Sequence, residues 1–155
     1  DMTRSRGLGD VYKRQLPSAK GLRFALVVSH WNSEITESLY EGAKNILSQK
    51  NATQIDRIDV PGSFELVYAS RSAIDRDYDA VIAIGSVIRG ETSHFDYVCQ
   101  GVTNGIQQLN ALGKTPVIFC VLTDDNLDQS RARSGGSLGN KGVEAAAAAI
   151  QMARL

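Results

Sequence analysis

The sequence predicts an α/β protein, a three-layer αβα sandwich on a four-stranded, mostly parallel sheet. Short, continuously apolar runs alternate four times with longer stretches whose apolar residues recur at helical spacing. Strands covered by helices on both faces need such continuous runs, and right-handed crossovers place helices on both faces. The length of 155 residues suits one domain with a single core.

The first two strand-helix units lie in the first half of the chain. A buried strand at 24–28 precedes a helix over 33–50, which carries its apolar residues on one face. A second strand at 55–60 ends at the Pro61-Gly62 pair, and a helical pattern resumes over 64–74.

The last two units complete the predicted sheet. The run at 80–84 is continuously apolar, and a helix follows that contains Phe95 and Leu109 on its apolar face and can end at Gly113. The fourth strand covers 116–122. A polar, glycine-rich connection at 123–139 then leads to an alanine-rich closing helix over 143–155.

The first residues of the chain differ from the rest. Residues 1–15 show neither helical nor strand periodicity and do not lead into the strand that follows. We expect residues 1–20 to form a non-native or disordered leader, and residues 21–155 to form a single domain.

Composition excludes several classes of function. Seventeen Lys and Arg residues balance seventeen Asp and Glu residues, and no basic cluster stands out, so we expect neither a nucleic acid nor an anionic membrane as partner. The longest apolar run, at 117–122, is too short to span a bilayer. Without an apolar signal segment, we expect a cytoplasmic location.

The two cysteines lie in apolar stretches, Cys99 in a helical pattern and Cys120 in a strand-like run. We expect both to be buried free thiols, as is usual in a reducing compartment. The two cysteines and two histidines are scattered along the chain, and their spacing matches no metal-ligand pattern.

Ligands of open parallel sheets bind at the carboxyl ends of the strands. The informative residues are therefore expected in four segments that follow the predicted strands. These are 29–33, 61–65, 85–92 and 123–141.

The segment after the third strand, GSVIRGET at 85–92, has the outline of a Walker A loop, but Glu91 stands where the lysine belongs. This departure argues against an NTPase. Free backbone N–H groups at 90–92 and the positive end of the helix dipole favour an anion there. The alternative is an ordinary glycine turn capped by Thr92.

A second glycine-rich run, at 135–142, follows two arginines. Arg131 and Arg133 offer planar guanidinium groups suited to bidentate phosphate contacts, although a solvated surface loop is an equal alternative. Lys141 and Glu144 lie three residues apart on one helical face, where they could orient a substrate or form a simple surface ion pair.

One histidine and two aromatic residues fall at the same edge of the sheet. His94 can serve as a general acid and base or can be structural, and Trp31 and Phe64 can stack on a flat heterocycle or fill a core. Taken together with the anion-binding segment, they indicate a planar heterocycle and a small phosphorylated partner as ligands.

Four motifs occur in an order that resembles the lumazine synthase family of riboflavin biosynthesis. They are SHWN at 29–32, PGSFEL at 61–66, GSVIRGETSHFDYV at 85–98 and LTDDNLDQSRARSGGSLGNKGVEAA at 122–146. The resemblance covers residues 21–155 and implies a flavodoxin-like fold. It also implies condensation of 5-amino-6-ribitylamino-uracil with 3,4-dihydroxy-2-butanone 4-phosphate to 6,7-dimethyl-8-ribityllumazine and phosphate, without a metal or organic cofactor.

The same resemblance implies roles for individual residues. His94 matches the proton-transfer histidine, and Arg133 matches the arginine that pairs with the phosphate. Gly90, Glu91 and Thr92 match the segment that holds the phosphate. The residues implied to bind the pyrimidine and its ribityl chain are Trp31, Asn32, Ser63, Phe64, Glu65, Val87 and Ile88.

The resemblance further implies a homo-oligomer, either a pentamer or an icosahedral shell of pentamers, with sites at subunit interfaces. Phe119 and Lys141 match pocket residues that the adjacent subunit contributes. The sequence departs from the family at Trp31, where Phe is more common, and at Val67, where Pro is more common.

Three other functions stay open at the level of sequence. One is a non-catalytic cage protein that binds flavin or lumazine on the same fold, and another is a riboflavin synthase of the archaeal type, which needs no phosphate site. The third is a flavodoxin-like electron carrier, against which the absence of a Ser/Thr-rich loop after the first strand argues.

Overall fold

A computed structural model describes residues 15–155. In chain order the elements are β1 (Arg23–Ser29), α1 (Ser33–Gln49), β2 (Gln54–Val60), α2 (Leu66–Ile74), β3 (Ala80–Ile88), α3 (His94–Leu112), β4 (Val117–Asp124), α4 (Leu127–Arg133), β5 (Ser134–Gly136), β6 (Gly139–Asn140) and α5 (Lys141–Ala153). Strands β1 to β4 form one parallel sheet in the order β2-β1-β3-β4. This confirms the predicted fold class.

The sheet is covered on both faces. Alternate residues of β1 point to opposite sides, so Leu26 and Val28 pack against α1 and α5 while Ala25 and Val27 pack against α2 and α3. All four side chains are fully buried. Burial on both faces is the physical reason for the continuous apolar runs in the sequence.

The structure corrects the predicted connection at 123–139, because it contains α4 and the short hairpin of β5 and β6. Asn126 caps α4 by accepting a hydrogen bond of 2.9 Å from the Gln129 N–H. Helix α4 has only seven residues, most of them polar, so its sequence shows no clear apolar period. The hairpin turns at residues 137–138, and Gly135 and Gly139 in the flanking strands have positive φ values of 120° and 82°.

Three predicted boundaries also move. Strand β3 runs beyond its apolar stretch because it stays paired with β4 as far as Asp124. A short 3₁₀ turn at Ser63–Glu65 precedes α2, and α3 begins at His94 itself rather than before it. The starts of α2 and α3 thus lie later in the chain, at the end of the sheet where ligands are expected.

The packed part of the chain begins before residue 21. Leu16 and Ala19 are buried in the core beside α1. The Ala19 N–H donates a hydrogen bond of 2.7 Å to the Lys50 carbonyl, and Arg154 donates to the carbonyls of Ser18 and Lys20. Residues 16–20, which the sequence placed in the leader, thus pack on the domain. The rest of the expected leader, residues 1–14, lies outside the described residues.

The structure also describes the burial of the two cysteines and the character of the helices. Both Cys99 and Cys120 are free thiols; Cys120 is buried as expected, whereas Cys99 is only half-buried. Over residues 15–155, no helix has both the length and the apolar character needed to cross a membrane.

Candidate active site

A cavity of about 590 Å³ opens at the carboxyl ends of β1, β2 and β3. This is the edge at which open parallel sheets bind ligands. Nine of the residues that the sequence proposed line it: Trp31, Ser63, Phe64, Glu65, Val87, Ile88, Gly90, Thr92 and His94. The structure therefore gathers most of the predicted site from three separate segments of the chain, and the segment at 123–141 does not contribute.

Exposed aromatic side chains surround the mouth of the cavity. Trp31, Phe64 and Tyr97 have exposed fractions of 73%, 61% and 71%, far above the values usual for such large apolar groups. Gly101 of α3 leaves space for one of these rings, because a Cβ at that position would lie 2.8 Å from Phe64 Cε1. The arrangement offers flat apolar faces on which a planar heterocycle can stack.

The 3₁₀ turn that carries Ser63 and Glu65 is held in place by local contacts. The Gly62 N–H donates a hydrogen bond of 2.9 Å to Glu65 Oε1, which fixes the carboxylate at the rim. A Cβ at Gly85 of β3 would lie 2.6 Å from Ser63 Oγ. Glycine at position 85 thus allows the turn to approach the strand and to form the floor of the cavity.

Two buried hydroxyl groups in the cavity wall have unused hydrogen-bonding capacity. Ser63 and Ser86 are 7% and 1% exposed, and their Oγ atoms have no hydrogen-bond partner within residues 15–155. Buried polar groups without partners are uncommon in native proteins. Both Oγ atoms are shielded from solvent, so a polar ligand reaches them only after a side-chain rotation. Ser86 lines the cavity although it was not among the predicted site residues.

The far end of the cavity is formed by the start of α3. Gly90, Thr92 and His94 are exposed there, and Thr92 Oγ1 accepts a hydrogen bond of 3.3 Å from the His94 N–H. A Cβ at Gly90 would meet no atom within 4 Å, so the backbone at this point is open to a ligand. Helix α3 has 19 residues, and the positive end of its dipole favours an anion here.

Arg89 fixes the start of α3 relative to the sheet. Its Nε donates a hydrogen bond of 2.9 Å to Asp125, its Nη1 lies 3.6 Å from Asp96 of α3, and its guanidinium carbon lies 4.5 Å above the centre of the Phe95 ring. The hydrogen bond with Asp125 raises the pKa of Arg89. The sequence analysis did not single out this arginine, which looks like any other charged loop residue until its partners are known.

Five predicted residues do not line this cavity. Asn32 donates from Nδ2 to the Ser86 carbonyl at 2.8 Å, and Glu91 is exposed beside the opening. Arg133 lies at the end of α4, where its Nη1 donates to the Gln129 carbonyl at 3.0 Å and lies 3.9 Å from Asp124 Oδ1.

The remaining two of the five, Phe119 and Lys141, line a separate groove beside β4, the last strand of the sheet. Phe119 is 42% exposed, and Lys141 Nζ lies 3.2 Å from Glu144 Oε2. The predicted Lys141–Glu144 pair is thus present. Burial raises the pKa of Cys120, which lies in the wall of this groove, to about 12, so its thiol stays protonated at neutral pH. A single subunit does not bring this groove to His94.

Comparison with known proteins supports the resemblance drawn from the motifs. A family model described as 6,7-dimethyl-8-ribityllumazine synthase matches residues 21–155. A protein of that name from Christiangramia forsetii is 52% identical over 161 residues, covering 99% of this chain and 94% of the relative. The protein of the same name from Flavobacterium johnsoniae is 54% identical over an alignment that covers 97% of this chain and 81% of the relative. Another, from Porphyromonas gingivalis, is 49% identical over 96% of this chain and 94% of the relative.

Proposed function

The chain belongs to the 6,7-dimethyl-8-ribityllumazine synthase family, and from that premise we propose that it is a transferase of riboflavin biosynthesis. It condenses 5-amino-6-ribitylamino-uracil with 3,4-dihydroxy-2-butanone 4-phosphate and releases 6,7-dimethyl-8-ribityllumazine, phosphate and water. The observation that carries the proposal is one cavity whose lining combines exposed aromatic side chains with an open helix start and a histidine.

The aromatic end of the cavity suits the pyrimidine. Trp31 stacks on the ring, and Val87 and Ile88, both half-buried on β3, bound the ring pocket. The hydroxyl of Ser63 and the carboxylate of Glu65, with the backbone at Phe64, contact the ribityl chain, which carries several hydroxyl groups. The unused hydroxyl of Ser86 offers one further hydrogen bond to the ligand.

The other end of the cavity suits the phosphorylated ketone. Backbone N–H groups at Gly90 and Glu91 and the hydroxyl of Thr92 hold the phosphate at the start of α3. Arg133 supplies the charged partner, because only its Nη1 atom is engaged by the Gln129 carbonyl. Its remaining N–H groups are free to bind the phosphate and to stabilise it as it leaves.

His94 is the group that moves protons. Formation of the Schiff base between the pyrimidine amine and the ketone, elimination of phosphate and closure of the second ring each require proton transfer. An imidazole at the junction of the two substrate positions can serve more than one of these steps, since histidine titrates near neutral pH. Much of the acceleration then comes from holding the two substrates in reacting geometry.

The proposed site is completed by a second copy of the chain. Phe119 and Lys141 lie in a groove at the β4 edge and are exposed or half-exposed there, away from the cavity of their own subunit. We therefore assign them to the cavity of an adjacent subunit in a pentamer or in an icosahedral shell of pentamers. The free cysteines agree with a reducing compartment, and we place the enzyme in the cytoplasm.

The function is tested by identifying the product formed from three substrate sets. Purified protein is incubated with the pyrimidine and the ketone phosphate together, with the lumazine alone, and with riboflavin alone, and the products are identified by mass spectrometry. Lumazine formed only from the first set supports the synthase. Conversion of lumazine alone to riboflavin would instead identify a riboflavin synthase, and bound flavin without turnover would identify a cage protein.

The shared site is tested by mixing two defective variants. One variant carries His94→Ala, and the other carries Phe119→Ala with Lys141→Ala, so each lacks residues from one half of the proposed site. Mixed oligomers made by refolding the two together contain some intact sites and regain activity above the sum of the separate variants. No gain in oligomers shown to be mixed would mean that both halves act within one subunit.

A further inference from the structure

Asn32 has an uncommon backbone conformation at the rim of the cavity. It lies between β1 and α1 with φ 61° and ψ 48°, in the left-handed region. Residues with a Cβ rarely adopt this conformation, although Asn tolerates it better than most. The turn that follows Trp31 therefore depends on which residue occupies position 32.

The side chain of Asn32 does not perform the usual task of a residue at the start of a helix. It makes no hydrogen bond to the first N–H groups of α1. Its Nδ2 donates instead to the carbonyl of Ser86 on β3, at 2.8 Å. The backbone carbonyl of Asn32 accepts from Ile35 and Thr36 of α1, at 3.0 and 3.1 Å. Asn32 thus joins the start of α1 to β3.

Trp31, its neighbour, has little packing of its own. Its side chain is 73% exposed, so the position of the indole is set mainly by the backbone that carries it. That backbone is held by the Trp31 N–H, which donates to the Pro61 carbonyl at 3.0 Å, by the bonds of the Asn32 carbonyl to α1, and by the Asn32 side chain on Ser86. Of these, the bond to Ser86 is the side-chain contact that ties the turn to β3, and its loss leaves the turn without that link.

We propose that Asn32 is a positioning residue, which holds the indole of Trp31 over the cavity through its left-handed backbone and its hydrogen bond to the Ser86 carbonyl. This role differs from the direct substrate contact that the family resemblance implies, and it rests on the hydrogen bond that the amide nitrogen makes to β3. The effect expected on catalysis rests on the proposed function, whereas the effect on Trp31 in the free protein does not.

Three variants separate the two contributions of Asn32. Asn32→Gly keeps easy access to the left-handed conformation and loses the hydrogen bond. Asn32→Asp keeps the size and shape of the side chain but places a carboxylate oxygen next to the Ser86 carbonyl, so the hydrogen bond is lost. Asn32→Ala loses both the hydrogen bond and the tolerance of Asn for the left-handed conformation. Asn51 provides a matched control, because it also has a positive φ, 68°, but is exposed just beyond the other end of α1.

The first measurement is time-resolved fluorescence anisotropy of the free protein. Trp31 is the only tryptophan, so the signal comes from one indole. Asn32→Gly is expected to show a larger amplitude of fast local motion than wild type, while Asn51→Gly is not. Urea unfolding curves confirm that both variants are folded. Wild-type anisotropy decay in folded Asn32→Gly would overturn the proposal, whether or not the protein is a synthase.

The second measurement is steady-state kinetics with both substrates. Asn32→Gly is expected to raise KM for the pyrimidine about fivefold, the effect of losing one hydrogen bond of about 1 kcal/mol, with a smaller change in kcat. Asn51→Gly should leave both constants at wild-type values. Unchanged KM in Asn32→Gly would also overturn the proposal. Absence of turnover in wild type would reject the proposed function alone, because the anisotropy result decides the role of Asn32 independently.

Discussion

The two histidines of the chain differ in their surroundings. His94 faces the cavity at the start of α3, whereas Nε2 of His30 is paired with Asp59 at 3.0 Å on the outer side of the sheet edge. His94 lines the cavity and His30 does not. The pair therefore provides a matched comparison of the proposed catalytic imidazole with one outside the cavity.

Replacement of His94 by Ala is expected to slow turnover by roughly 10- to 1000-fold, because a positioned acid-base group typically contributes a factor of about 10² to 10⁴. Stability should change little, since the side chain is exposed. Turnover rates and urea unfolding curves provide the measurement, with His30→Ala as the control that keeps wild-type activity. Full activity in His94→Ala would remove the histidine from the mechanism.

The two arginines of α4 also differ. Arg131 is engaged by Glu34, which accepts hydrogen bonds of 2.8 and 3.2 Å from its Nε and Nη2, whereas Arg133 has only its Nη1 bonded.

Arg133→Ala is expected to raise KM for the ketone phosphate by about 10-fold or more, because a charge-assisted contact with the phosphate is lost. Arg131→Ala should have little effect on that KM. Equal effects of the two changes would contradict the assignment of the phosphate to Arg133.

At the level of elements, the sequence was informative where a segment is long and its burial is regular. The four strands and the four long helices follow from continuous apolar runs and helical spacing. Helix α4 and the hairpin of β5 and β6 were missed because they are short, polar and held by caps and glycine turns rather than by an apolar face. Their existence depends on contacts that periodicity does not record.

The site was predictable to a similar extent. Three of the four segments predicted at strand ends contribute to the cavity, since strand ends meet at one sheet edge, whereas the segment at 123–141 does not. Only the family resemblance implied that Phe119 and Lys141 belong to a different part of the surface, because no pattern in one chain encodes the position of a neighbouring copy. The unused hydroxyl of Ser86 and the contact between Asn32 and Ser86 depend on side-chain geometry, which becomes visible only in the structure.

The N-terminal cap of α5 is the element-scale feature that we expect to matter most for stability. Asn140 Oδ1 accepts from the Gly142 N–H at 2.8 Å, while its Nδ2 donates to the Ser38 carbonyl of α1 at 3.0 Å. A Cβ at Gly42 would lie 2.6 Å from the Asn140 amide, so the two helices are packed closely around it. Asn140 therefore both caps one helix and joins it to another.

Asn140→Ala is expected to lower the free energy of unfolding by about 2 kcal/mol, from the lost cap and the lost side-chain hydrogen bond to the Ser38 carbonyl of α1. The control is Asn126→Ala, which removes a similar cap from the short, solvated helix α4 and should cost about 1 kcal/mol or less. Urea unfolding of the two variants measures the difference. A cost for Asn140→Ala no greater than for Asn126→Ala would mean that the contact with α1 adds nothing.

Considered as a whole, the molecule carries an ionic cluster on β2, the strand at the opposite edge from β4. Arg57 forms a bidentate pair with Glu37 of α1 and donates to Asp59 at 2.8 Å. The hydrogen bond from Arg57 lowers the pKa of Glu37 from its usual value. For Asp59, burial acts to raise the pKa, but hydrogen bonds from Arg57 and His30 outweigh it and lower it.

These shifts predict the direction of the pH dependence of stability. A carboxylate whose pKa is lowered on folding stabilises the protein above its unfolded-state pKa, and that contribution is lost as the pH falls through the folded-state value. Stability should therefore fall as the pH drops below the unperturbed values of 4.5 for Glu37 and 3.8 for Asp59. Arg57→Met should reduce stability at pH 7 and weaken this acid dependence.

Urea unfolding at pH 7 and at acid pH measures both effects. Arg71→Met is the control, since it removes an exposed i,i+4 ion pair with Asp75 outside this cluster and should leave the acid dependence as in wild type. An equal acid dependence in wild type and Arg57→Met would show that the cluster on β2 does not govern it.

In the proposed mechanism, one cavity holds the pyrimidine and the ketone phosphate together and joins them. The most direct test is the initial rate of lumazine formation by the purified protein, followed by fluorescence, with released phosphate measured in the same samples and the uncatalysed reaction subtracted. We expect a rate proportional to enzyme concentration, saturation by each substrate, and one phosphate released per lumazine formed. Binding of the pyrimidine without acceleration over the uncatalysed reaction would contradict it.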